Sequence, residues 1–578
     1  MIHFNFNPND LRFLFLTYDN VKDKTNLGLL KKHLNLVDPI CYLPTWGNRP
    51  KQTRDFLFEY VRKEDSKHIF YCSFGLWNEV RTFFITHNIE FDGLLDKPEL
   101  FKTTLKHTFE EFKDIVQSWN LKYTPRPYQL EAAYKVLGYR RSLSELPTRA
   151  GKTLISYIIF RYGMEYLGIK KILMIVPSIS LVKQGFADFA EYGEFFNTEC
   201  VWAGGKLVES SNLTIGTFQS LIGYLEPKSK KYNPQFFNDY DCIFVDETHR
   251  ATAEQTKTII SQDFVKNVKL FFGMSGTLPK PKTIEWYCLQ SIIGCKIQSI
   301  EPRELMDAGF VSDIEINQVV LDYQDTQRVK ELYLKCAEYT CSSFDVDQDG
   351  NKIPLSDSQN QIMFRKSLPV GLAQVREKYL AKQIPINDYI SLIKGYIKDN
   401  AGTNNLVVEK YLTHFLDERI NYLITDILPN CKYNTLVLAH HTEYIGRLYS
   451  ILKEQFKDRH VFMITGATKS KEREAIKQSL KEHNDCILVA SYGTLSTGIT
   501  LSNLCFGVLM ESFKSPVVNM QSLGRGLGLS KLKDKYIVYD IIDKFPKELS
   551  NAIYLQGKQK RKLYDEYRYP YNTTVVKL

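Results

Sequence analysis

Two short segments carry the residue types that phosphate-transfer chemistry needs. The first, LPTRAGKT (146–153), opens a run of helical periodicity, and free N–H groups at a helix N-terminus form a cradle for phosphate. There Lys152 is expected to reach the β- and γ-phosphates of a nucleotide, and Thr153 to ligate Mg²⁺. The strict phosphate-loop pattern has Gly at the position of Leu146, so a chance G-K-T remains an alternative for this segment alone.

The second segment, DCIFVDETH (241–249), has the pattern of a hydrophobic strand that ends in two carboxylates. Hydrolysis of Mg·ATP needs one acidic group for the metal and another to polarise the attacking water. Asp246 is the predicted metal partner and Glu247 the predicted general base. Two acids that merely end a surface strand are the alternative, and the phosphate loop upstream makes it the weaker one.

A third candidate residue, Gln129, lies in RPYQ (126–129), one helix before the phosphate loop. Its amide both donates and accepts, so it could read the edge of an adenine, although an exposed Gln at a helix start is the alternative. The predicted nucleotide-binding residues are therefore Gln129, Thr148, Arg149, Ala150, Gly151, Lys152 and Thr153.

The elements that must position these residues show one repeated rhythm. Between Leu146 and Thr277, and again from Thr435 onwards, short β-rich runs alternate with helical stretches. Such alternation predicts parallel sheets covered by helices, and hence two similar α/β units in tandem. The β-rich runs include KILMIVP, LTIGTF, DCIFVDE and KLFFGMSGT in the first unit, and TLVLAH, DCILVAS, CFGVLME and KYIVYD in the second.

Three other regions have a different pattern. The N-terminal region is rich in aromatic residues, including Trp46 and Trp77, for which a core role is the default. The predicted division is an α+β accessory domain (1–115, where duplex binding is possible), a first lobe (116–323), a mostly helical insertion (324–430) containing an exposed loop, a second lobe (431–556) and a basic, Tyr-rich tail (557–578).

Composition excludes several classes of protein. The chain has 578 residues, 44% hydrophobic and 24% charged, which is ordinary globular composition and too long for a single core. The 11 cysteines form no C-x-x-C pair, which disfavours a zinc ribbon and indicates reduced thiols. No signal peptide or run of 18 apolar residues is evident, so we expect no membrane span and a cytoplasmic location. The net charge of +9 is compatible with a polyanionic partner but does not require one.

The motifs RPYQ, LPTRAGKT, VPSISLVKQ, GTFQSL, DETH, SGT, VASYGTLSTGIT and QSLGRGLG occur in the order seen in superfamily 2 helicases. The chain resembles that superfamily, and within it the UvsW-type DNA helicases of tailed phages, through YQLEAAYKVLGYRRSLSELPTRAGKT, ASYGTLSTGI and the aromatic N-terminal region. The resemblance implies two RecA-like lobes with ATP between them. It also implies DNA, single-stranded or branched, as the partner and, for a phage-encoded protein, the cytoplasm of a bacterial host. We expect a monomer.

The resemblance also implies roles for further residues. His249, Ser275 and Thr277 would couple hydrolysis to lobe movement, and Gln521 and Arg525 would face the γ-phosphate, Arg525 as the arginine finger. Nucleic-acid backbone contacts would come from Pro177, Ser178, Thr217 and the stretch from Ser491 through Thr497 to Gly498. For each hydroxyl, a helix N-cap is the alternative role.

Two departures from the family pattern leave alternatives open. Gly528 replaces the second arginine of Q-x-x-G-R-x-x-R, and Thr500 stands where many relatives carry an Asp near the ribose. A nucleic-acid clamp that ATP switches, with weak hydrolysis, is therefore one alternative. An RNA helicase is the other. Contacts to phosphates do not distinguish RNA from DNA, and no residue of the sequence can be named that would read the 2′-hydroxyl.

Two charged segments have mainly structural interpretations. The tail KQKRKLYDEYRYPY could contact phosphates and bases, but a solvated helix with half-buried tyrosines is favoured. The stretch DVDQDGNK (345–352) begins like a calcium loop, yet Ser356 replaces the Glu that would close the site, so an acidic turn is favoured.

Overall fold

A computed structural model describes most of the chain, in two compact units that divide between Leu305 and Met306. The described residues are 1–7, 10–37, 53–62, 67–92, 103–201, 211–250, 268–344, 354–358, 361–364, 366–399, 404–495, 503–511 and 515–578.

The first unit begins with a four-stranded antiparallel sheet, in the strand order β1-β2-β6-β5. One face of this sheet is buried against two helices around a core that includes Phe4, Leu14, Leu16 and Phe70. The strands of this N-terminal domain are β1 (Ile2–Asn7), β2 (Asp10–Tyr18), β3 (Asn35–Val37), β4 (Thr53–Asp55), β5 (Leu57–Val61) and β6 (His68–Ser73), and its helices are α1 (Val21–His33) and α2 (Trp77–Thr86).

The second sheet of the first unit has seven parallel strands, in the order β13-β7-β12-β11-β8-β10-β9. Its central strands are continuous apolar runs because helices cover both faces of the sheet. The strands are β7 (Arg141–Glu145), β8 (Ile172–Val176), β9 (Thr198–Val201), β10 (Leu213–Thr217), β11 (Cys242–Asp246), β12 (Leu270–Ser275) and β13 (Cys295–Ser299). The helices are α3 (Phe109–Ser118), α4 (Pro127–Leu137), α5 (Lys152–Tyr166), α6 (Ile179–Tyr192), α7 (Phe218–Leu221), α8 (Ile284–Ile292) and α9 (Pro302–Asp307), with 3₁₀ turns at Phe74–Leu76, Ile222–Tyr224, Pro234–Phe237 and Thr248–Arg250.

The second unit contains another seven-stranded parallel sheet, in the order β20-β21-β19-β22-β23-β14-β24. The predicted fold class, two tandem RecA-like sheets behind a small α+β domain, is confirmed. The strands of the second unit are β14 (Asp313–Asp322), β15 (Ser343–Phe344), β16 (Pro354–Ser358), β17 (Gln361–Phe364), β18 (Lys366–Ser367), β19 (Thr435–Ala439), β20 (Val461–Ile464), β21 (Ile487–Ser491), β22 (Phe506–Leu509), β23 (Lys535–Lys544) and β24 (Tyr571–Lys577).

The boundary predicted at residue 323 differs from the structure. Strand β14, expected at the end of the first lobe, pairs in parallel with β23 and β24 and so belongs to the second sheet. The helices that follow β14 pack into the core of the second lobe, so the insertion is part of that lobe. The helices of this unit are α10 (Thr326–Cys341), α11 (Val370–Leu380), α12 (Ile386–Asp399), α13 (Asn405–His414), α14 (Asp417–Tyr422), α15 (Thr442–Gln455), α16 (Ser470–Glu482), α17 (Tyr492–Leu495), α18 (Pro516–Gly524) and α19 (Ala552–Glu566), with a π turn at Leu423–Ile427 and a 3₁₀ turn at Leu428–Asn430.

Two other segments are more ordered than the sequence predicted. The stretch expected to be an exposed loop contains the hairpin β16–β17, whereas its calcium-like part, 345–352, lies outside the described residues. The C-terminal tail forms α19 and the edge strand β24. Lys560 of α19 is buried against Asp540 of β23, and Tyr564 donates to the same carboxylate at 2.9 Å, which agrees with the structural interpretation of the tail.

A buried ion pair fastens the insertion to the second sheet. Arg419 of α14, which is 0% exposed, donates from Nε to Asp543 Oδ1 of β23 at 3.0 Å. Tyr444 lies 2.9 Å from Arg419 Nη1, and the Tyr323 hydroxyl donates to Asp543 at 2.7 Å. Both charges therefore depend on partners inside the protein for compensation.

We expect Asp543→Ala to lower the free energy of unfolding by about 3–5 kcal/mol, because it leaves the Arg419 charge buried and unpaired. Denaturation by urea would measure this loss. Glu474→Ala is the matched control, because the Glu474 side chain is 67% exposed and pairs with Lys477 at the surface. Its removal should lower the free energy of unfolding by less than about 1 kcal/mol. Equal effects of the two substitutions would contradict the prediction.

Candidate active site

Three neighbouring parallel strands bring the predicted catalytic segments to one edge of the first parallel sheet. The phosphate loop follows β7, Ser275 ends β12 and Asp246 ends β11, and these strands are adjacent in the order β7-β12-β11. Carboxyl ends of parallel strands share one edge of the sheet, where ligands of open α/β sheets bind. The fold thus gathers residues that lie more than a hundred positions apart in the sequence.

The phosphate loop is held in an unusual backbone conformation. Arg149 and Gly151 have φ values of 75° and 76°, both in the left-handed region. Gly151 adopts it without steric cost, whereas Arg149 stores strain of the kind that clusters at functional sites. Lys152 then begins α5, so the N–H groups of the first turn of the helix face the loop.

Gln129 contacts this loop directly. Its Nε2 donates to the Ala150 carbonyl at 2.9 Å, and its Oε1 accepts from the Arg126 N–H at 2.9 Å. The Tyr128 hydroxyl donates to the same Ala150 carbonyl at 2.9 Å. The structure therefore places the amide of Gln129, predicted to read adenine, in hydrogen bonds that position the phosphate loop.

The contact between Gln129 and the loop leaves no room for a side chain at position 151. A Cβ atom there would lie 2.2 Å from Gln129 Nε2, and an L residue would also be strained at this φ value. We expect Gly151→Ala to weaken nucleotide binding by about 5- to 150-fold, as strain of about 1–3 kcal/mol implies. Titration with a fluorescent ATP analogue would test this.

Gly28→Ala provides the control for that substitution. Gly28 lies in α1 of the same unit, and a Cβ atom there meets nothing within 4 Å. It should leave nucleotide affinity unchanged. Wild-type affinity in Gly151→Ala would show that the close approach of Gln129 does not constrain the loop.

Lys152 and Glu247 form an ion pair at the centre of the site. Lys152 Nζ lies 3.3 Å from Glu247 Oε1 and donates to the Leu146 carbonyl at 3.4 Å. Burial acts to raise the pKa of Glu247, but the Lys152 ammonium and the hydrogen bond from His249 outweigh it and hold that pKa well below its usual range. Glu247 is therefore a carboxylate, the form that can accept a proton.

Asp246 has the opposite electrostatic environment. Burial, reinforced by the negative charge of Glu247, raises the pKa of Asp246 to about 7. Its Oδ1 accepts the Glu247 N–H at 3.0 Å, and Glu247 itself has a φ of 50°. Two adjacent carboxylates are thus held together with one nearby ammonium group, an arrangement that favours an added cation.

The three predicted coupling residues lie in one hydrogen-bonded chain. His249 Nδ1 lies 3.3 Å from Glu247 Oε2 and 2.8 Å from Ser275 Oγ, which donates to the Thr277 carbonyl at 2.7 Å. The Thr277 hydroxyl is buried and has no hydrogen-bond partner in the part of the chain that the structure describes. The predicted base, Glu247, and the predicted coupling residues are therefore physically connected.

Sequence reasoning missed Leu278 and Glu145, which extend this chain. The Leu278 N–H donates to Glu145 Oε1 at 3.2 Å, and Glu145 Oε2 accepts from Lys296 Nζ at 2.5 Å. The Leu278 side chain packs against both the core of the N-terminal domain and the core of the first parallel sheet. Two features of the sequence could have pointed to them: Glu145 is a carboxylate directly before the phosphate loop, and Leu278 is an apolar residue directly after SGT.

The predicted nucleic-acid contacts include two helix caps. Ser178, which follows Pro177, accepts the Leu181 N–H as N-cap of α6, and Thr217 accepts the Ser220 N–H at 3.2 Å as N-cap of α7. Ser491 ends β21, whereas Thr497, Gly498 and Thr500 lie outside the described residues. Capping does not exclude a second role, because a capping hydroxyl keeps acceptor capacity.

In the second lobe, Gln521 and Arg525 are half-buried, at the C-terminal end of α18. Ser515 caps that helix and Pro516 occupies its first position. The Gly528 carbonyl accepts a hydrogen bond from the Ser312 hydroxyl at 2.9 Å. The residue that replaces the expected second arginine therefore holds the segment that leads into β14.

No described helix has the length and hydrophobicity needed to cross a membrane. No cluster of three or more His, Cys, Asp or Glu residues that could hold a metal ion occurs among the described residues.

Family models match both lobes. Residues 122–280 match the model described as type III restriction enzyme, res subunit, and residues 418–527 match the helicase conserved C-terminal domain. The first match covers the phosphate loop, the DETH segment and SGT. The second ends just after the predicted arginine finger.

Individual proteins are also similar to this chain. The ATP-dependent DNA helicase uvsW of Enterobacteria phage T4 is 27% identical over 481 residues, which is 81% of this chain and 79% of that protein. Putative helicase 22 of a Sulfolobus islandicus filamentous virus is 22% identical over 403 residues, covering 68% of this chain and 59% of that protein. The crystal structure of T4 UvsW aligns with a TM-score of 0.41 and 20% identity, over 100% of this chain and 99% of that one.

The geometry of the site and the family models indicate the same class of enzyme. The predicted phosphate loop, the DE pair and the predicted coupling residues meet at one sheet edge, and family models match two consecutive lobes, one of them the helicase C-terminal domain. Nucleotide use and a nucleic-acid partner follow from these domains. The matched domains indicate a superfamily 2 helicase, and the chain is an ATP-dependent helicase.

Proposed function

We propose that this enzyme moves on DNA and unwinds or remodels branched DNA, in phage recombination, replication or repair. The observation that carries the proposal is the continuous set of contacts from Lys152 through Glu247 and His249 to Ser275. It joins a phosphate-binding group, a base and a coupling segment, which a motor requires and a simple nucleotide-binding protein does not. The T4 relative, named as a DNA helicase, supports DNA as the track. A monomer acting in the cytoplasm of a bacterial host is part of the same proposal.

In the proposed mechanism, each residue of the site has a defined task. Lys152 neutralises charge on the phosphates, and the Glu247 carboxylate accepts a proton from the attacking water. His249 positions the Glu247 carboxylate and links it to Ser275, because one imidazole nitrogen lies near both side chains. Arg525 stabilises the charge that develops on the γ-phosphate.

The residues present fit a magnesium ion. Thr153 and Asp246 supply oxygen donors, which Mg²⁺ prefers. Burial, reinforced by the Glu247 carboxylate, raises the pKa of Asp246, and a bound divalent cation would favour its charged form. The proposal assigns the ion to these two residues. When bound, Mg²⁺ supplies charge neutralisation at the transferred phosphate.

A clamp with weak hydrolysis is the second candidate, and Gly528 is the observation that favours it. With no arginine at this position, Arg525 is the single finger in the matching motif. Intact Lys152, Asp246 and Glu247 favour the motor instead. The two candidates differ in whether nucleic acid stimulates hydrolysis.

The proposal is tested by ATP hydrolysis and strand separation in the wild type and in Lys152→Ala. Each protein is assayed without nucleic acid and with single-stranded DNA, forked DNA and matched RNA. The motor predicts stimulation by forked DNA and separation of its strands, both lost in Lys152→Ala but kept in Lys122→Ala, which alters a lysine 55% exposed in the same unit. ATP-dependent binding without hydrolysis would identify a clamp, and stronger stimulation by RNA would change the track.

A further inference from the structure

The four-stranded sheet of the N-terminal domain has a second face, opposite its core. Strand alternation turns Leu14, Leu16 and Phe70 to the core, and so turns their neighbours the other way. The strand register pairs Phe15 with Tyr71, and Tyr71 with Phe58. These three rings therefore lie in one row across β2, β6 and β5.

Two further rings complete the surface that we call the aromatic face, formed by Phe13, Phe15, Phe58, Tyr60 and Tyr71. Tyr71 is central, with its ring centroid 5.4 Å from Phe58, 5.9 Å from Tyr60, 6.0 Å from Phe13 and 6.2 Å from Phe15. Its interplanar angle with Phe58 is 30°, and with Phe15 it is 34°. Tyr60 and Phe13 instead lie nearly edge-on to Tyr71, at 64° and 78°.

Three rings of the aromatic face are exposed to solvent, and Phe15 and Tyr71 are half-buried. The exposed fractions of Phe13, Phe58 and Tyr60 are 39%, 45% and 43%, whereas the rings of the opposite face, Phe4 and Phe70, are 1% and 2% exposed. Isolated exposed aromatics are common on proteins, but contiguous exposed apolar patches mark binding sites. Packing within the domain does not account for this surface.

The charges around the aromatic face favour an anionic partner. Glu59, the acid in β5, points to the opposite face, where its carboxylate accepts from Lys31 at 3.2 Å and contacts His68 at 2.7 Å. Strands β2, β5 and β6 place no described carboxylate on the aromatic face. Exposed Arg54 and Asp55 precede β5, and exposed Arg62 and Lys67 lie where β5 leads towards β6. Cations therefore occur beyond both ends of β5, with one carboxylate beside Arg54.

We propose that the aromatic face binds single-stranded nucleic acid by stacking of unpaired bases on Phe58, Tyr71 and their neighbours. Every base has a π-face, so such stacking is independent of sequence, and flanking cations neutralise the backbone. A duplex cannot bind in this way because its bases are already stacked on one another. The inference rests on the proposed function, since a strand-separating enzyme acting on branched DNA produces the single strand.

A nucleic-acid strand bound at the aromatic face would be held next to the first lobe, because the N-terminal domain packs against that lobe. Glu79 of α2 accepts from Trp286 Nε1 at 3.2 Å and from Gln290 Nε2 at 3.3 Å, and both donors lie in α8. Gly75 approaches the same helix so closely that a Cβ atom would lie 1.9 Å from the Gln290 carbonyl oxygen. The aromatic face therefore serves as a fixed holding point next to the motor.

The test compares the full-length wild type with the double substitution Phe58→Leu and Tyr71→Leu. Affinity for a fluorescent oligo(dT) is measured by anisotropy at several salt concentrations, without nucleotide. We expect affinity to fall about 10-fold or more per ring lost, while the slope against salt stays the same because phosphate contacts remain. Affinity for a duplex of equal length should not change.

Two variants serve as controls. Tyr71→Phe keeps the ring and should keep wild-type affinity, which separates stacking from any loss of stability. Phe415→Leu removes a ring that is 55% exposed in the other unit and should leave oligo(dT) binding unaltered. Equal losses for duplex and single strand, or no loss for either, would overturn the proposal, as would a self-association of the wild type that the double substitution abolishes.

Failure here is distinguishable from failure of the proposed function. If forked DNA stimulates hydrolysis but oligo(dT) binding does not depend on the rings, only the aromatic-face proposal fails. If binding depends on the rings but no DNA stimulates hydrolysis, the aromatic face is a single-strand site on a chain that is not a motor.

Discussion

Substitution Glu247→Gln is expected to slow DNA-stimulated ATP hydrolysis by about 10²–10⁴-fold, the usual contribution of a positioned general base. An amide of the same shape keeps the contacts around the site but cannot accept the proton from water. Removing the negative charge 3.3 Å from Lys152 also frees this ammonium group for phosphate. ATP affinity should therefore be unchanged or tighter, so that kcat falls while KM does not rise.

Steady-state hydrolysis and equilibrium binding of a nucleotide analogue measure the two effects separately. Glu191→Gln is a suitable control, because Glu191 is a carboxylate of the same unit with a 40% exposed side chain that pairs with Lys122. It should hydrolyse ATP at the wild-type rate. A Glu247→Gln enzyme within about 10-fold of wild type would assign the base to another group.

Substitution Arg525→Gln is expected to lower kcat by about 10³-fold or more, the range found for arginine fingers. The second arginine of the family motif is Gly528 here, so no neighbouring guanidinium in that motif can substitute for it. Arg525→Lys should recover little of the loss, since an ammonium group lacks the planar fork that matches phosphate oxygens. Binding of ATP in the ground state should change far less than kcat.

Arg376→Gln tests whether any loss of a guanidinium has the same effect. Arg376 is 49% exposed and pairs with Glu338 in the same unit. Near wild-type kcat is expected for it. A loss below about 10-fold in Arg525→Gln would refute its role as the finger and strengthen the clamp alternative.

The sequence was sufficient for the parts of the fold that depend on local pattern. Apolar runs such as ILMIV and CIFVD predict strands buried on both faces, and the carboxyl end of each run marks the edge where ligands bind. The phosphate loop and the DE pair follow such runs directly. Their proximity across β7, β12 and β11 is a property of parallel sheets rather than of sequence spacing.

Long-range pairing was beyond the reach of the sequence. Strand β14 follows the first lobe in the chain but pairs with β23, and β24 arises from a segment whose charge suggested a tail. Periodicity identifies a strand but not the sheet that it joins. The contacts of Gln129 with Ala150 and of Leu278 with Glu145 were equally hidden, because each requires the three-dimensional positions of two distant segments.

The strand order of the second sheet has a consequence for how the protein folds during synthesis. Strand β14 is translated early, but its two partners, β23 and β24, begin more than 200 residues later. The first unit, complete at Leu305, can fold on the ribosome. Strand β14 must wait with both edges unpaired until Lys535–Lys544 emerge, and with one edge unpaired until Tyr571–Lys577 emerge. Unpaired strand edges attract other chains, so we expect aggregation to compete most strongly with folding during this interval.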